Sequence, residues 1–175
     1  GFITVPDKPG LGITLNEEVV TVNTELQSKV DELSRVNNDM RNLLDSIEIP
    51  TIFVDSELKI KRFTSHAVKL VHLIQSDIGR PISHVVSNLK YGNLAEDTEE
   101  VLRKPGLKEM EVEGKDGRWY LMRILPYRTT DNVLDGVVIS FLDVHERKTA
   151  ADKIESLNQS LQEARDFAEA TIATL

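Results

Sequence analysis

An apolar repeat of seven runs through the first third of the chain: Val19, Leu26, Leu33, Met40 and Ile47. A second series, Asn23, Val30, Asn37 and Leu44, stands three residues ahead of the last four members. The 3-4 spacing makes the second series a and the first d of a heptad. Leu or Met at d with Val or Asn at a is the pattern of parallel two-stranded coils. A helix packing on its own domain gains nothing from Asn in its seam, whereas two parallel helices pair Asn with Asn and so fix register. Asn23, Leu26, Val30, Leu33, Asn37, Met40, Leu44 and Ile47 are therefore the expected seam of a homodimer.

The 175 residues leave room for one domain of about 100 residues beside long helices. The chain has no Cys, which removes disulfides, thiolate chemistry and Cys-based zinc sites and suits a reducing cytoplasm. A net charge of −8 argues against non-specific nucleic-acid binding, which needs a basic face. No run approaches the roughly 18 apolar residues needed to span a membrane, and no signal-peptide pattern opens the sequence. A Gly-rich phosphate loop, a metal-ligand cluster and a nucleophile elbow are all absent from the sequence, so neither metal nor catalytic residues are expected.

Four stretches separate by composition. Residues 1–15, rich in Gly and Pro, are expected to be irregular. The heptad helix spans 16–48 and stops before Pro50, because the residue ahead of a proline is pushed out of the α region. Residues 50–145 form a mixed block, and 146–175 read as a further helix free of Gly and Pro. Within the block, TIFVD and KIKRF are short strands joined by a hairpin at Ser56-Glu57. SHAVKLVHLI and PISHVVSNL suit short helical turns, and AEDTEEVLRK is a charged helix stopped by Pro105-Gly106. Three strands follow: LKEMEVE, RWYLMRILPYR and GVVISFLDV. Asp116-Gly117 joins the first pair as a type I′ signal, and Thr130 to Gly136 joins the second as a longer loop. Two strands, several small helices and a three-stranded meander predict an α+β fold on an antiparallel sheet.

This order, with TELQSKVDELSRVNNDMRNLL, GRPISHVVSNL, KDGRWYLMRILPYRTTDN and DGVVISFLDVHERK, resembles a PAS domain. The type it is most similar to occurs in sensor proteins fused to chemotaxis methylesterase and methyltransferase domains and in hybrid histidine kinases. The last segment resembles the D-[IV]-T-E-R-[KR] close of many PAS domains, with His145 where Thr is usual. The resemblance implies a five-stranded antiparallel sheet with small helices on one face, flanked by helices that commonly dimerise. It further implies a cytoplasmic two-component module that passes the state of a ligand or partner to an effector on the same polypeptide. Residues 1–20 instead resemble the C-terminal tail of enolase-superfamily enzymes, either by coincidence around the shared LNEE or as a chimera would. Lys59-Ile60-Lys61 spells a K-x-K used by some of those enzymes but follows the tail, so it reads as a charged strand face.

The resemblance also bounds the cofactors. A LOV-type flavin adduct needs Cys, which the chain lacks. A haem-binding PAS domain uses a His on the long helix before the meander, and AEDTEEVLRK has none, so haem is not expected. The cofactor itself is not legible in the sequence. His145-Glu146-Arg147 matches part of a kinase phospho-acceptor box, but its flanks disagree and the PAS close accounts for it. Phe53, His72, Tyr120, Met122, Arg123, Ile124 and Phe141 are candidate pocket residues, for which core packing and ligand lining both stay open. Asp143 and Arg147 are the candidate relay. Asp143 stands where the last strand becomes a helix and can cap its free N–H groups. Arg147, four residues on, reaches that carboxylate if the turn is helical.

Overall fold

The structure, a computed structural model, describes Gly1 and residues 11–173, with side chains from residue 17 onward. The chain divides into two units, Gly1–Ser46 and Ile47–Leu175.

The first unit is a single helix, α1 (Leu11–Ser46). Leu11–Leu15 are helical, where the sequence reading made them irregular. The one Gly in that turn, Gly12, costs about 1 kcal/mol relative to Ala, and once a long helix is nucleated each further residue adds a backbone hydrogen bond. The other end stops at Ser46, two residues short of the expected boundary, and Ile47 falls just past it. Asn23, Leu26, Val30, Leu33, Asn37 and Met40 lie exposed along α1, with Leu44 half-buried. Of the stretch 1–20 that resembles an enolase-type tail, residues 2–10 lie outside the described residues and 11–20 belong to α1.

The second unit holds β1 (Thr51–Asp55), β2 (Ile60–Phe63), α2 (Ala67–Leu70), 3-10 turns at Gln75–Asp77 and Ile82–His84, α3 (Leu94–Arg103), β3 (Lys108–Glu113), β4 (Trp119–Arg128), β5 (Leu134–Asp143) and α4 (His145–Ala173). The five strands form one antiparallel sheet in the order β2-β1-β5-β4-β3. The α+β class, the strand count and the flanking helices thus agree with the sequence reading.

Alternation along the strands sends one side chain in two toward the small helices. Ile52, Val54, Ile60, Met122, Ile124, Val137, Ile139 and Phe141 form that inner face and pack with Leu70, Val71 and Leu73 and with Leu94 and Val101 of α3. Two buried carboxylates fasten the covering layer. Asp77 accepts from the Ile74 N–H (2.8 Å) and from Arg80 (2.5 Å). Asp97 of α3 takes the Tyr91 hydroxyl and, at 2.6 Å, the ammonium of Lys108 on β3.

All three hairpins close the same way. Leu58, Gly117 and Asn132 donate their N–H to the carbonyl three residues earlier, and each sits at positive φ. Asp55, Gly114 and Thr129 donate to the carbonyl four residues later. This is a type I turn followed by a left-handed residue, not the type I′ turn expected at Asp116-Gly117. A type I′ turn requires positive φ at both central residues, and here only Gly117 has it.

Candidate functional site

The strand-to-helix junction begins with Asp143, the last residue of β5, opposite Tyr120 in the β4–β5 ladder. Its Oδ1 accepts the His145 N–H at 2.9 Å, so the carboxylate caps the start of α4. Its Oδ2 accepts from Arg118 Nε (3.0 Å) and Nη2 (2.7 Å). Partial burial raises the Asp143 carboxyl, but the His145 N–H and the Arg118 guanidinium outweigh it and hold its pKa below the usual carboxylate range. The same hydrogen bond raises the Arg118 pKa.

The expected Asp143–Arg147 pair does not form. The four-residue rule holds between two residues of one helix, and Asp143 belongs to the strand. Arg118, brought alongside by the β3–β4 hairpin, takes the carboxylate instead. Arg147 lies 3.8 Å from Glu111 of β3.

Lys148 completes the junction. Its backbone N–H donates to Val144, whose own N–H donates to Trp119, each across about one hydrogen-bond length (2.8 and 2.9 Å). Its ammonium sits 3.6 Å from the centre of the Trp119 ring and 2.6 Å from Glu111 Oε2. Glu111 and Trp119 reach it because β3–β4 pairing puts Glu111 opposite Leu121 and Glu113 opposite Trp119, on the outer face of the sheet. The Lys148 hydrogen bond lowers the Glu111 pKa. A half-desolvated ammonium on an indole face contributes about 1 kcal/mol. Beyond Lys148, α4 is exposed throughout its described length.

The seven candidate pocket residues do not share a pocket. Tyr120, Met122, Ile124 and Phe141 are buried on the inner face among core side chains. Phe53 and Arg123 point to the opposite face, because they alternate with the inward Ile52 and Val54, and Met122 and Ile124. Arg123 meets Glu109, its cross-strand neighbour, at 2.6 Å and not Asp143. His72 is exposed after α2 ends. A crevice of about 340 Å³ at the end of the sheet that launches α4 takes in two of the seven, Tyr120 and Phe141. Pro50, His66, Leu70, Tyr120, Phe141 and Asp143 line it, and the Phe141 N–H donates to the Pro50 carbonyl at 2.9 Å. Among the described residues no group of His, Cys, Asp and Glu could hold a metal ion.

Arg118, Lys148 and Glu111 escaped the sequence reading. Their signal was partly visible, since Arg118-Trp119 follows the hairpin glycine, but joining them to Asp143 requires the strand register.

Comparison with known proteins agrees with this architecture. The family described as PAS domain matches residues 40–145. A curated protein of Rhodobacter capsulatus, an uncharacterized 104.1 kDa protein in the hypE 3′ region, is 38% identical over 124 residues, which cover 71% of this chain and 13% of that protein. The chain therefore spans about an eighth of that relative's length. Among solved structures, the PAS domain of BvgS from Bordetella pertussis is 20% identical and superposes with a TM-score of 0.50 over 72% of this chain and 98% of that one. The E. coli DhaR(N)–DhaL complex is 16% identical, with a TM-score of 0.57 over 81% and 47%.

Proposed function

The chain belongs to the PAS domain family, and we propose that it is a sensory relay module within a longer signalling protein. Two copies pair in parallel through the α1 seam, and the state of the globular unit passes to an effector on the same polypeptide through α4. The manner in which α4 is held carries this reading. Asp143 caps it, Val144 ties it to β4 and Lys148 clamps it to Trp119 and Glu111, while residues 149–173 are exposed. A helix fixed to a sheet only through its first turn follows any shift of the sheet's edge, and its free length conveys that shift onward.

The relay runs through Asp143 and Arg118, with Lys148, Arg147 and Glu111 as its second anchor. The parent is of the two-component kind, cytoplasmic, with effectors such as chemotaxis methylesterase and methyltransferase or a histidine kinase. The length of the Rhodobacter capsulatus relative is compatible with several domains beyond this one. Within such a protein this domain supplies no catalysis of its own. No helix among the described residues is long and apolar enough to cross a membrane.

In the full-length parent, Arg118→Ala, Asp143→Ala and Lys148→Met are expected to leave the fold and dimer intact and to uncouple effector output from its stimulus. Output that follows the stimulus normally in all three variants would remove the relay.

The filled inner face favours one other reading, a dimerisation spacer that holds no ligand. Met122, Ile124 and Phe141 occupy the space between sheet and helices. Native mass spectrometry separates the two: a small molecule retained by the purified domain supports sensing, and bare protein from every expression host supports the spacer.

A further inference from the structure

Among the described residues the predicted seam leaves four large exposed apolar side chains of α1 unexplained, Val20 and three that share one heptad series. Val22, Val36 and Leu43 are 53%, 54% and 60% exposed, as open as the seam residue Leu26 at 57%. They stand four residues before Leu26, Met40 and Ile47. Together with Lys29 they form a heptad series of their own, and its partner series is again Leu26, Leu33, Met40 and Ile47.

We infer that α1 carries two overlapping dimer seams that share Leu26, Leu33 and Met40, and that a second copy of this chain can dock along either one. The inference rests on the parallel dimer proposed above and adds a second arrangement to it. In the first seam the shared residues are d, with Asn23, Val30, Asn37 and Leu44 at a. In the second they become a, with Val22, Lys29, Val36 and Leu43 at d. At 100° per residue, each helix turns about 50° on its axis to exchange one seam for the other.

Neither arrangement is plainly dominant. The first contains two Asn layers, which specify register at some cost in stability. The second replaces them with one Lys layer and gains Val22, Val36 and Leu43 in place of Val30 and Leu44. Glu25 and Glu32, four residues before Lys29 and three after, supply counter-charges on its own side of the helix. The lysine stem can lie along the seam with its ammonium at the edge. The flanking positions do not hold the first seam either. Its g series is Val22, Lys29, Val36 and Leu43, and its e series is Val20, Gln27, Ser34 and Arg41. No pair of opposite charges faces across the two helices there. In the outgoing helix α4, Ile154, Leu157, Leu161, Ala164 and Ala168 keep a 3-4 spacing, and the series flanking Ile154 and Leu161 holds Asn158 and Arg165 in place of apolar residues.

The chain has no cysteine, so single-Cys variants of the whole chain report pairing directly. A disulfide needs Cα atoms within about 7 Å, which favours positions in the seam itself. Under mild oxidation, Leu26→Cys, Asn37→Cys and Val36→Cys are all expected to cross-link. Adding Lys29→Leu should raise the Val36→Cys rate over that of Asn37→Cys at least threefold, and adding Asn23→Val should shift the ratio the other way. Cross-linking at Leu26→Cys and Asn37→Cys, with none at Val36→Cys even beside Lys29→Leu, would overturn the second seam and leave the dimer standing. Failure at Leu26→Cys as well, with single molecules by sedimentation, would remove the dimer and the second seam together.

Discussion

Asp143 shows why a residue's role can be right and its partner wrong. Its position at the strand end fixed it as a cap, because the next residues begin a helix whatever else the fold does. Its ion-pair partner depended on the β3–β4 hairpin, which returns the chain beside β5, and spacing along the sequence carries no trace of that contact. An exposed pair of this kind contributes under about 1 kcal/mol, so its importance lies in fixing direction rather than in stability. Asp77 and Asp97 are the carboxylates that hold the fold. The Ile74 N–H and then Arg80 lower the Asp77 pKa. Its contribution is therefore complete above the unfolded carboxyl value near 4 and is lost as pH falls through the lower folded value. The melting-temperature gap between the native chain and Asp77→Asn should be widest near neutral pH and narrow steadily as pH falls below about 4. A gap constant down to pH 2 would contradict this. Tyr91 supplies the alkaline counterpart. Burial first, then its bond to Asp97, pushes its pKa up to about 12. A raised tyrosine pKa stabilises below the unfolded value near 10 and loses that contribution as pH rises through the folded one. One of the three tyrosines should ionise last in a spectrophotometric titration, and Tyr91→Phe should remove that late step. Asp97→Ala, which leaves Tyr91 without its acceptor and Lys108 with Glu100 alone, should cost about 2 kcal/mol in chemical denaturation.

At the scale of elements, the strands and the main helices were legible because each has its own period. TIFVD became β1 without a residue's error, and the three meander strands appear in the expected order and pairing. The turns were less legible. Asn-Gly and Asp-Gly signals do not distinguish a type I′ turn from a type I turn with a left-handed third residue, because both want the same residues. The start of β5 was also missed. It begins at Leu134, with Gly136 inside it, where the glycine read as the end of a loop. Gly136 lies opposite Asp55 in the β1–β5 ladder, and a Cβ there would stand 2.0 Å from the Val54 carbonyl oxygen. No side chain can give way, since the obstacle is backbone. Gly136→Ala should therefore destabilise the domain by about 2–3 kcal/mol. Gly117→Ala meets no neighbour and should cost only the backbone penalty of positive φ, about 1 kcal/mol. Equal losses in the two variants would refute the steric account of the β1–β5 pairing. The candidate pocket failed for a reason of parity. Phe53 and Arg123 are apolar-flanked in sequence, but which face they occupy follows from Ile52, Val54, Met122 and Ile124 taking the other.

At the scale of the whole molecule the proposed function rests on one physical proposition, that two chains lie in parallel along α1, so that a change in either globular unit is felt by a pair of helices rather than by one. The exposed apolar stripe from Leu26 to Met40 is the observation that supports it. The heptad behind this proposal is legible in the sequence because it is a one-dimensional pattern; the arrangement of Arg118, Lys148 and Glu111 around Asp143 and Trp119 is three-dimensional and is not. The most direct test is sedimentation velocity of the whole chain at micromolar concentrations, beside Leu33→Arg, which sets a charge at the centre of both seams. The account predicts a species of twice the chain mass for the native sequence and single, still folded chains for the variant. Single molecules of the native chain throughout that range would contradict it.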